Sequence, residues 1–390
     1  MDRRGLRAIV VLVAVAVVAA WLLAPNEPGG RPASAINARG GPDSSMAGSI
    51  SSTAIGPTAI PGSSVWDEIL VPPTPGPTKQ PAGRNEPAPT PKPKPRPDPN
   101  PTPVPTPKPD PTPKPAPCSL FPADNVWNRR VDDLPVDARS DTYIDSIGVD
   151  KALHPDFSSL AWNGGKGYGI PFNKVNSSTP TYQVSFDYDD ESDPGPYPIP
   201  SSPKIEGGSD AHLLLWDTQG CDLYEIFAAD KSGGHWYGGS GAIWNLRSNK
   251  LRPNGWTSAD AAGLPILPGL ARFDEVADGA IRHALRFTAP DTCSGHIYPA
   301  RHDAGSGSCS VNPPMGLRVR LKASVDLSGF GPQARVILTA LKRYGMLLAD
   351  NGSAWYVTGA PNANWNDDDL HDFNQLHGAD FEVVDTSGLR

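Results

Sequence analysis

The chain has 390 residues, 46 of them proline, and a formal net charge of −8. The charge is uneven: residues 1–117 hold 12 Lys/Arg against 8 Asp/Glu, whereas residues 118–390 hold 22 against 34. So acidic a C-terminal part repels phosphate backbones and excludes nucleic acid as an expected partner.

Residues 1–24 begin with Arg3, Arg4 and Arg7, followed by 17 uninterrupted apolar residues from Ala8 to Ala24. Cations before the run and none just after it send the rest of the chain outward. The length lies at the short limit for a membrane span, so the segment reads as an uncleaved single-pass anchor. A cleaved signal peptide is the competing reading. Residues 25–71 are rich in Gly, Ser, Ala and Pro and lack apolar periodicity, as disordered segments do. Residues 72–117 contain 21 prolines in 46 residues. Proline removes backbone donors and fixes φ, so this stretch is expected to be a polyproline II stalk rising about 3.1 Å per residue.

From Cys118 the composition changes: aromatic residues become frequent, and all four cysteines (118, 221, 293 and 309) follow. An even count in an exported chain points to two disulfides. Cys293 and Cys309 flank a Gly/Ser-rich loop and form the natural local pair, which would leave Cys118 with Cys221; three pairings are open. Residues 118–390 are long enough for one large domain.

Strand signals dominate that domain. Tyr182, Val184, Phe186 and Tyr188 alternate, as do His212, Leu214 and Trp216, and Asp217–Gly220 turns the chain into 222–227. Further strands are expected over 242–246, 281–288 and 317–325. Asn351-Gly352, between runs at 345–350 and 353–358, predicts a type I′ hairpin. Helices are expected over 332–344, with proline in the first turn, and over 366–376, with an asparagine cap and three aspartates. Shorter helical turns are expected at 258–262 and 273–278. The expected fold is mainly β, a two-sheet sandwich or jelly-roll-like domain with a few peripheral helices.

The strings ESDPGPYPIP (191–200), GWTSADAAGLPILPGL (255–270), HALRFT (283–288), PPMGLRVRLKAS (313–324) and YGMLLADNGSAWY (344–356) resemble an uncharacterised family of exported bacterial proteins. The resemblance covers about residues 118–390. It implies export and a single module, and brings no activity or catalytic residues.

Chemistry must therefore come from the side chains. Arg286 with Arg282, and Arg318 and Arg320 with Lys322, alternate against apolar residues and predict a basic stripe on one sheet face, with Arg301 and His302 nearby. Guanidinium forks suit the carboxylates of acidic sugars, the plain alternative being a solvated outer face. Aromatic residues near polar loops, among them Trp162, Trp355 and above all Trp236, Tyr237 and Trp244 in HWYGGSGAIW, would stack on sugar rings unless they fill the core. Glycoside hydrolysis needs two carboxylates, for which Glu206, Asp210, Glu225, Asp274 and Glu275 are candidates. β-Elimination on a uronate needs a base and a carboxylate-neutralising cation, which His302, Tyr298, Arg301 and Arg286 would supply. His283 reads as a satisfied core histidine. Asp187, Asp189, Glu191 and Asp193 form a dense set of hard oxygen ligands that would suit Ca²⁺, though the EF-hand pattern fails at Ser192 and Pro198. No other cofactor is expected. HExxH, Walker, CxxC and dinucleotide fingerprints are missing from the sequence.

The leading expectation is a surface-displayed carbohydrate-active enzyme, a hydrolase or lyase, anchored in the membrane and acting on cell-wall or environmental glycan. A non-catalytic glycan- or wall-binding module and a structural envelope protein are the alternatives.

Overall fold

A computed structural model describes residues 118–389, apart from 162–164 and 166. The expected anchor, the 25–71 segment, the 72–117 stalk and Trp162 lie outside the described residues. Among those described, no helix is long and apolar enough to cross a membrane.

The described part is mainly strands in several sheets with few helices. In chain order, helix α1 (Ser140–Ile147) is followed by β1 (His154–Asp156), β2 (Phe172–Val175), β3 (Thr181–Tyr182), β4 (Val184–Phe186) and β5 (Tyr197–Pro198). Next come β6 (Leu213–Asp217), β7 (Asp222–Phe227), β8 (Asp230–Ser232), β9 (His235–Gly238) and β10 (Ser240–Asn245). Helix α2 (Phe273–Ala277) precedes β11 (Leu285–Ala289) and β12 (Arg318–Leu321), and α3 (Pro332–Arg343) precedes β13 (Met346–Asn351) and β14 (Tyr356–Thr358). Helix α4 (Asp367–His371) and β15 (Phe381–Val383) complete the order. A six-stranded sheet runs β1-β14-β11-β13-β12-β15, and a four-stranded sheet runs β10-β7-β6-β2. Smaller sheets pair β3 with β5 and join β4, β9 and β8. Parallel pairs (β1–β14, β11–β13, β2–β6, β4–β9) stand beside antiparallel ones.

The β6–β7 hairpin forms where the Asp217–Gly220 turn predicts it, with Leu213 opposite Ile226 and Asp217 opposite Asp222. Its sheet is buried on both faces. Leu214, Leu223 and Ala242 face the main core, whereas Leu213, Leu215 and Ile226 face a smaller one with Tyr197 and Trp236. This is why Leu213–Leu215 reads as a continuous apolar run rather than an alternating one. Helix α3 buries Ala334, Ile337, Leu338 and Leu341, the i, i+3, i+4, i+7 positions of one face. Pro332 opens it and Gly345, at φ 65°, follows its end. Its first turn is capped from outside: the buried Asp369 carboxylate of α4 accepts the Gln333 N–H at 2.7 Å. Asn366 in turn caps α4 by accepting from the Asp368 and Asp369 N–H groups.

The hairpin expected around Asn351-Gly352 does not form. β13 and β14 do not pair with each other; β11 lies between them, parallel to β13 and antiparallel to β14. The connecting turn crosses the end of β11, with Gly352 N–H donating to Ala289 O at 2.9 Å and Trp355 N–H to Thr288 O at 3.2 Å. Trp355, at φ 60° and 0 % exposed, pivots the chain and stacks between Phe287 and Phe381. Asn-Gly signals a turn but not the partner that the turn serves. The strands expected at 281–288 and 317–325 are shorter, and 258–262 is a turn rather than helix. Helix α1 has no counterpart among the sequence expectations.

Both disulfides join the cysteines that locality favours, Cys118–Cys221 and Cys293–Cys309. They are compatible with an extracellular location.

Candidate functional site

The site begins with an arginine in a strand. Leu285, Phe287 and Ala289 of β11 are fully buried, and Arg286 and Thr288 project from the opposite face. In the neighbouring β13 the register shifts by one residue between the partners of Phe287 and Thr288, so that Leu348 pairs with Phe287 but Asp350 with Thr288. The extra residue is Ala349, whose carbonyl accepts the Ala262 N–H at 2.9 Å. Because side chains alternate, this bulge turns Asp350 from the apolar face to the face of Arg286.

Arg286 is 3 % exposed and fully engaged. Its Nε and Nη2 donate to the two Asp260 carboxylate oxygens at 3.0 and 2.7 Å, Nη1 donates to Thr358 Oγ1 at 2.7 Å, and Asp350 stands 3.7 Å from Nη2. Burial works against its charge, but Asp260 outweighs that and holds its pKa above the ordinary value.

Around this pair stand further ionisable groups. Glu225 of β7 is 0 % exposed and accepts the N–H groups of Ile266 and Leu267 at 3.0 and 2.9 Å. Burial pushes it up to about 7. His212, 4 % exposed, places Nδ1 against the Glu206 carboxylate and Nε2 at 3.0 Å from Ala259 O. A carboxylate on one side and a carbonyl on the other favour the protonated form of the ring. Burial opposes this, but the Glu206 hydrogen bond and charge raise its pKa. Asp156 of β1 lies close enough to sense Arg286 and Glu206, and burial raises its pKa too.

Above Asp260 opens a cavity of about 250 Å³ whose walls include Glu191, Ser240, Asp260, His302, Asp350 and Tyr188. It is smaller than the ~300–1,000 Å³ of drug-sized sites. Burial and the neighbouring Asp260 charge push Asp350 up to about 7. His302 Nδ1 donates to Ala261 O at 2.8 Å, and Nε2 has no partner among the described residues. Glu191 accepts the Thr257 N–H through Oε2 at 2.9 Å, leaving Oε1 uncommitted. Behind this wall the buried Arg252 binds the Asp193 carboxylate, Glu191 O and Thr257 O, and lies over the rings of Trp244 and Trp256.

Asp350 and Glu225 give stability a pH dependence with a defined sign. Their ordinary values are 3.8 and 4.5, and in the folded chain both rise to about 7. Between those limits the folded state holds protons that the unfolded chain has released, so their contribution falls as pH rises. Urea unfolding from pH 4 to 7 should therefore show wild type losing stability relative to Asp350→Asn, and parallel profiles would contradict the assignment.

The structure redistributes the residues expected from the sequence. Arg286 and Arg318 both pair with Leu347 across β13 and so share a sheet face, but that face is covered rather than exposed. Arg318, 0 % exposed, donates to the carbonyls of Val126, Arg129 and Tyr344, and Arg320 to Glu382 and the carbonyls of Val131 and Leu134. Arg318 and Arg320 thus fasten the first segment of the domain, Lys322 donates to Ala379 O, and Arg282, which precedes β11, is exposed. Trp236 and Trp244 are each 4 % exposed core residues rather than stacking platforms, whereas Tyr237 is exposed away from the cavity. Trp355 is likewise core. Tyr298 packs against the main core and does not line the cavity, and Arg301 donates to Arg252 O. Asp210 is exposed and does not line the cavity, while Glu206 is committed to His212.

Of the acidic quartet, Asp187 and Asp189 are exposed, Glu191 reaches the cavity, and Asp193 accepts from Ile243 N–H and Arg252. Among the described residues no group of three or more His, Cys, Asp or Glu side chains is placed to hold a metal ion. His283, as expected, is a core histidine, bound to Ala284 O and Glu275. Only His302 and Glu191 of the expected site residues line the cavity. Asp260 and Asp350 were not anticipated, although each is an acid set in an apolar run (ADAAGLPIL and MLLADN), a local signal of burial with a partner.

The chain finds no match among family models, curated proteins or solved structures.

Proposed function

We propose that this chain is an exported, surface-displayed glycan hydrolase held at the membrane by its N-terminal segment, with the cavity over Asp260 as its active site. The observation that carries the reading is the meeting of Asp350 and His302 in one cavity. One is a carboxyl kept protonated near neutrality by burial and by Asp260, the other an imidazole whose Nε2 has no partner among the described residues. A carboxyl that can give a proton beside a histidine nitrogen that can take one is the pair acid–base hydrolysis requires. Asp350 gives its proton to the leaving glycosidic oxygen as the C–O bond breaks. His302 Nε2 takes a proton from water as the water oxygen bonds to the anomeric carbon. Exchange with solvent then resets both groups.

The lyase alternative loses support because elimination needs a cation for the uronate carboxylate, and Arg286 is spent on Asp260 and Thr358. The binding-only alternative loses its aromatic platform, since Trp236 and Trp244 are core.

The test is reducing-end release by the full-length protein across neutral, amino and acidic glycans. Asp350→Asn and His302→Gln should each lower kcat about 10²–10⁴-fold on whichever glycan is cleaved. Full activity in both variants, or no turnover across the panel, would sink the proposal.

A further inference from the structure

The cavity wall carries carboxyl groups and, among the described residues, no cation. The hydroxyls of its two serines are turned into the wall: Ser240 Oγ donates to Ser258 O at 2.5 Å, and Ser258 Oγ donates to Leu264 O at 2.6 Å. Among the described residues no lysine or arginine lines it. The guanidinium groups of Arg286 and Arg252 have every nitrogen engaged, Arg286 on Asp260 and Thr358, Arg252 on Asp193 and two carbonyls, and Arg301 beside His302 donates through Nε to Arg252 O. Glu191, Asp350 and His302 line it, and neither Glu191 Oε1 nor His302 Nε2 has a hydrogen-bond partner among the described residues. A ligand carboxylate or phosphate placed there would meet the Glu191 carboxylate and find no cation in the wall. A primary ammonium brings three donors and no acceptor, which complements such a set.

We infer that the cavity selects a sugar unit bearing a free primary amine, and discriminates against uronates and other anionic sugars. The inference deepens the hydrolase reading by naming its substrate class, and reverses the acidic-glycan preference that a basic stripe would have implied. Glu191 is the anchoring contact. Its Oε2 is fixed by the Thr257 N–H, which orients Oε1 toward the ligand ammonium, and Phe227 and Tyr188 supply apolar surface for the ring.

The experiment is ligand-observed NMR titration of the full-length protein with glucosamine, glucose, glucuronate and lysine amide, in wild type and Glu191→Gln. Glutamine keeps an oxygen for the Thr257 N–H, and far-UV circular dichroism checks that the variant is folded. Glucosamine should bind about tenfold more tightly than glucose, the scale of one charge-assisted hydrogen bond, and glucuronate not measurably. Glu191→Gln should bring the ratio of glucosamine to glucose affinity down to about one. Glucuronate binding as well as glucosamine, or a glucosamine advantage that survives Glu191→Gln, would overturn the inference. Lysine amide binding more tightly than glucosamine would overturn the assignment to a sugar in favour of a peptide amine. The two proposals fail separately: cleavage of neutral glycan without amine preference removes this inference alone, and amine preference without cleavage removes the hydrolase alone.

Discussion

Arg286→Met should destabilise the protein by about 3–5 kcal/mol, read as a lower urea midpoint and a fall in Tm on the order of 10 °C. The bidentate contact to Asp260 lies where the arginine is 3 % and the aspartate 1 % exposed. Removing the guanidinium leaves a carboxylate in that interior with no counter-charge, and leaves Thr358 Oγ1 without its donor. Asp260→Asn in the Arg286→Met background should restore part of the loss, because no isolated charge then remains buried. A single variant within about 1 kcal/mol of wild type, or a double variant worse than the sum of the two singles, would show that the pair is not the buried ion pair described. The size of the effect also separates the structure from an exposed basic stripe, for which the same substitution would be nearly neutral.

Loss of the Cys118–Cys221 disulfide should cost more than loss of Cys293–Cys309. The first spans 103 residues and the second 16. In the chain-entropy model these correspond to about 4.7 and 3 kcal/mol. Paired Cys→Ser variants of each bridge, compared by denaturant unfolding at one pH, test the order. The long bridge has a second consequence for the segment it begins, because residues 126–134 are otherwise fastened by Arg318 and Arg320 through carbonyl contacts. Equal losses for the two bridges, or a larger loss for the short one, would mean that the N-terminal segment retains its contacts without the bridge.

How much of this was legible follows from where each signal resides. Local chemistry read true: the Asp217–Gly220 turn, the α3 stripe with Pro332, the Asn366 cap and the Cys293–Cys309 proximity depend on neighbours a few residues away. Alternation also placed Arg286 and Arg318 on a common face, but it does not say what lies over that face. Segments 126–134 and 258–269 cover it, and neither carries a local pattern that reports its destination. The same holds for Trp236 and Trp244, whose polar neighbours suggest exposure although their sheet has a core on each side. Asp350 needed a bulge at Ala349 that is visible only once β11 supplies the register. The site was therefore half legible: His302 and Glu191 stood out as residue types, whereas the acids that set their surroundings emerged from long-range pairing.

The crossing of β13 to β14 over the end of β11 has a consequence for assembly. Two successive strands joined by a tight turn would ordinarily zip together from that turn, with little loop entropy to overcome. Here neither strand finds its partner in the other; Phe287 must arrive between Leu348 and Val357 before either edge is satisfied. Closure of the large sheet is thus governed by non-local encounters, the regime in which folding is slow and strand edges stay open longest. The turn that carries Trp355 behaves less as a nucleus than as a latch, ordered only after the strand it spans has been captured.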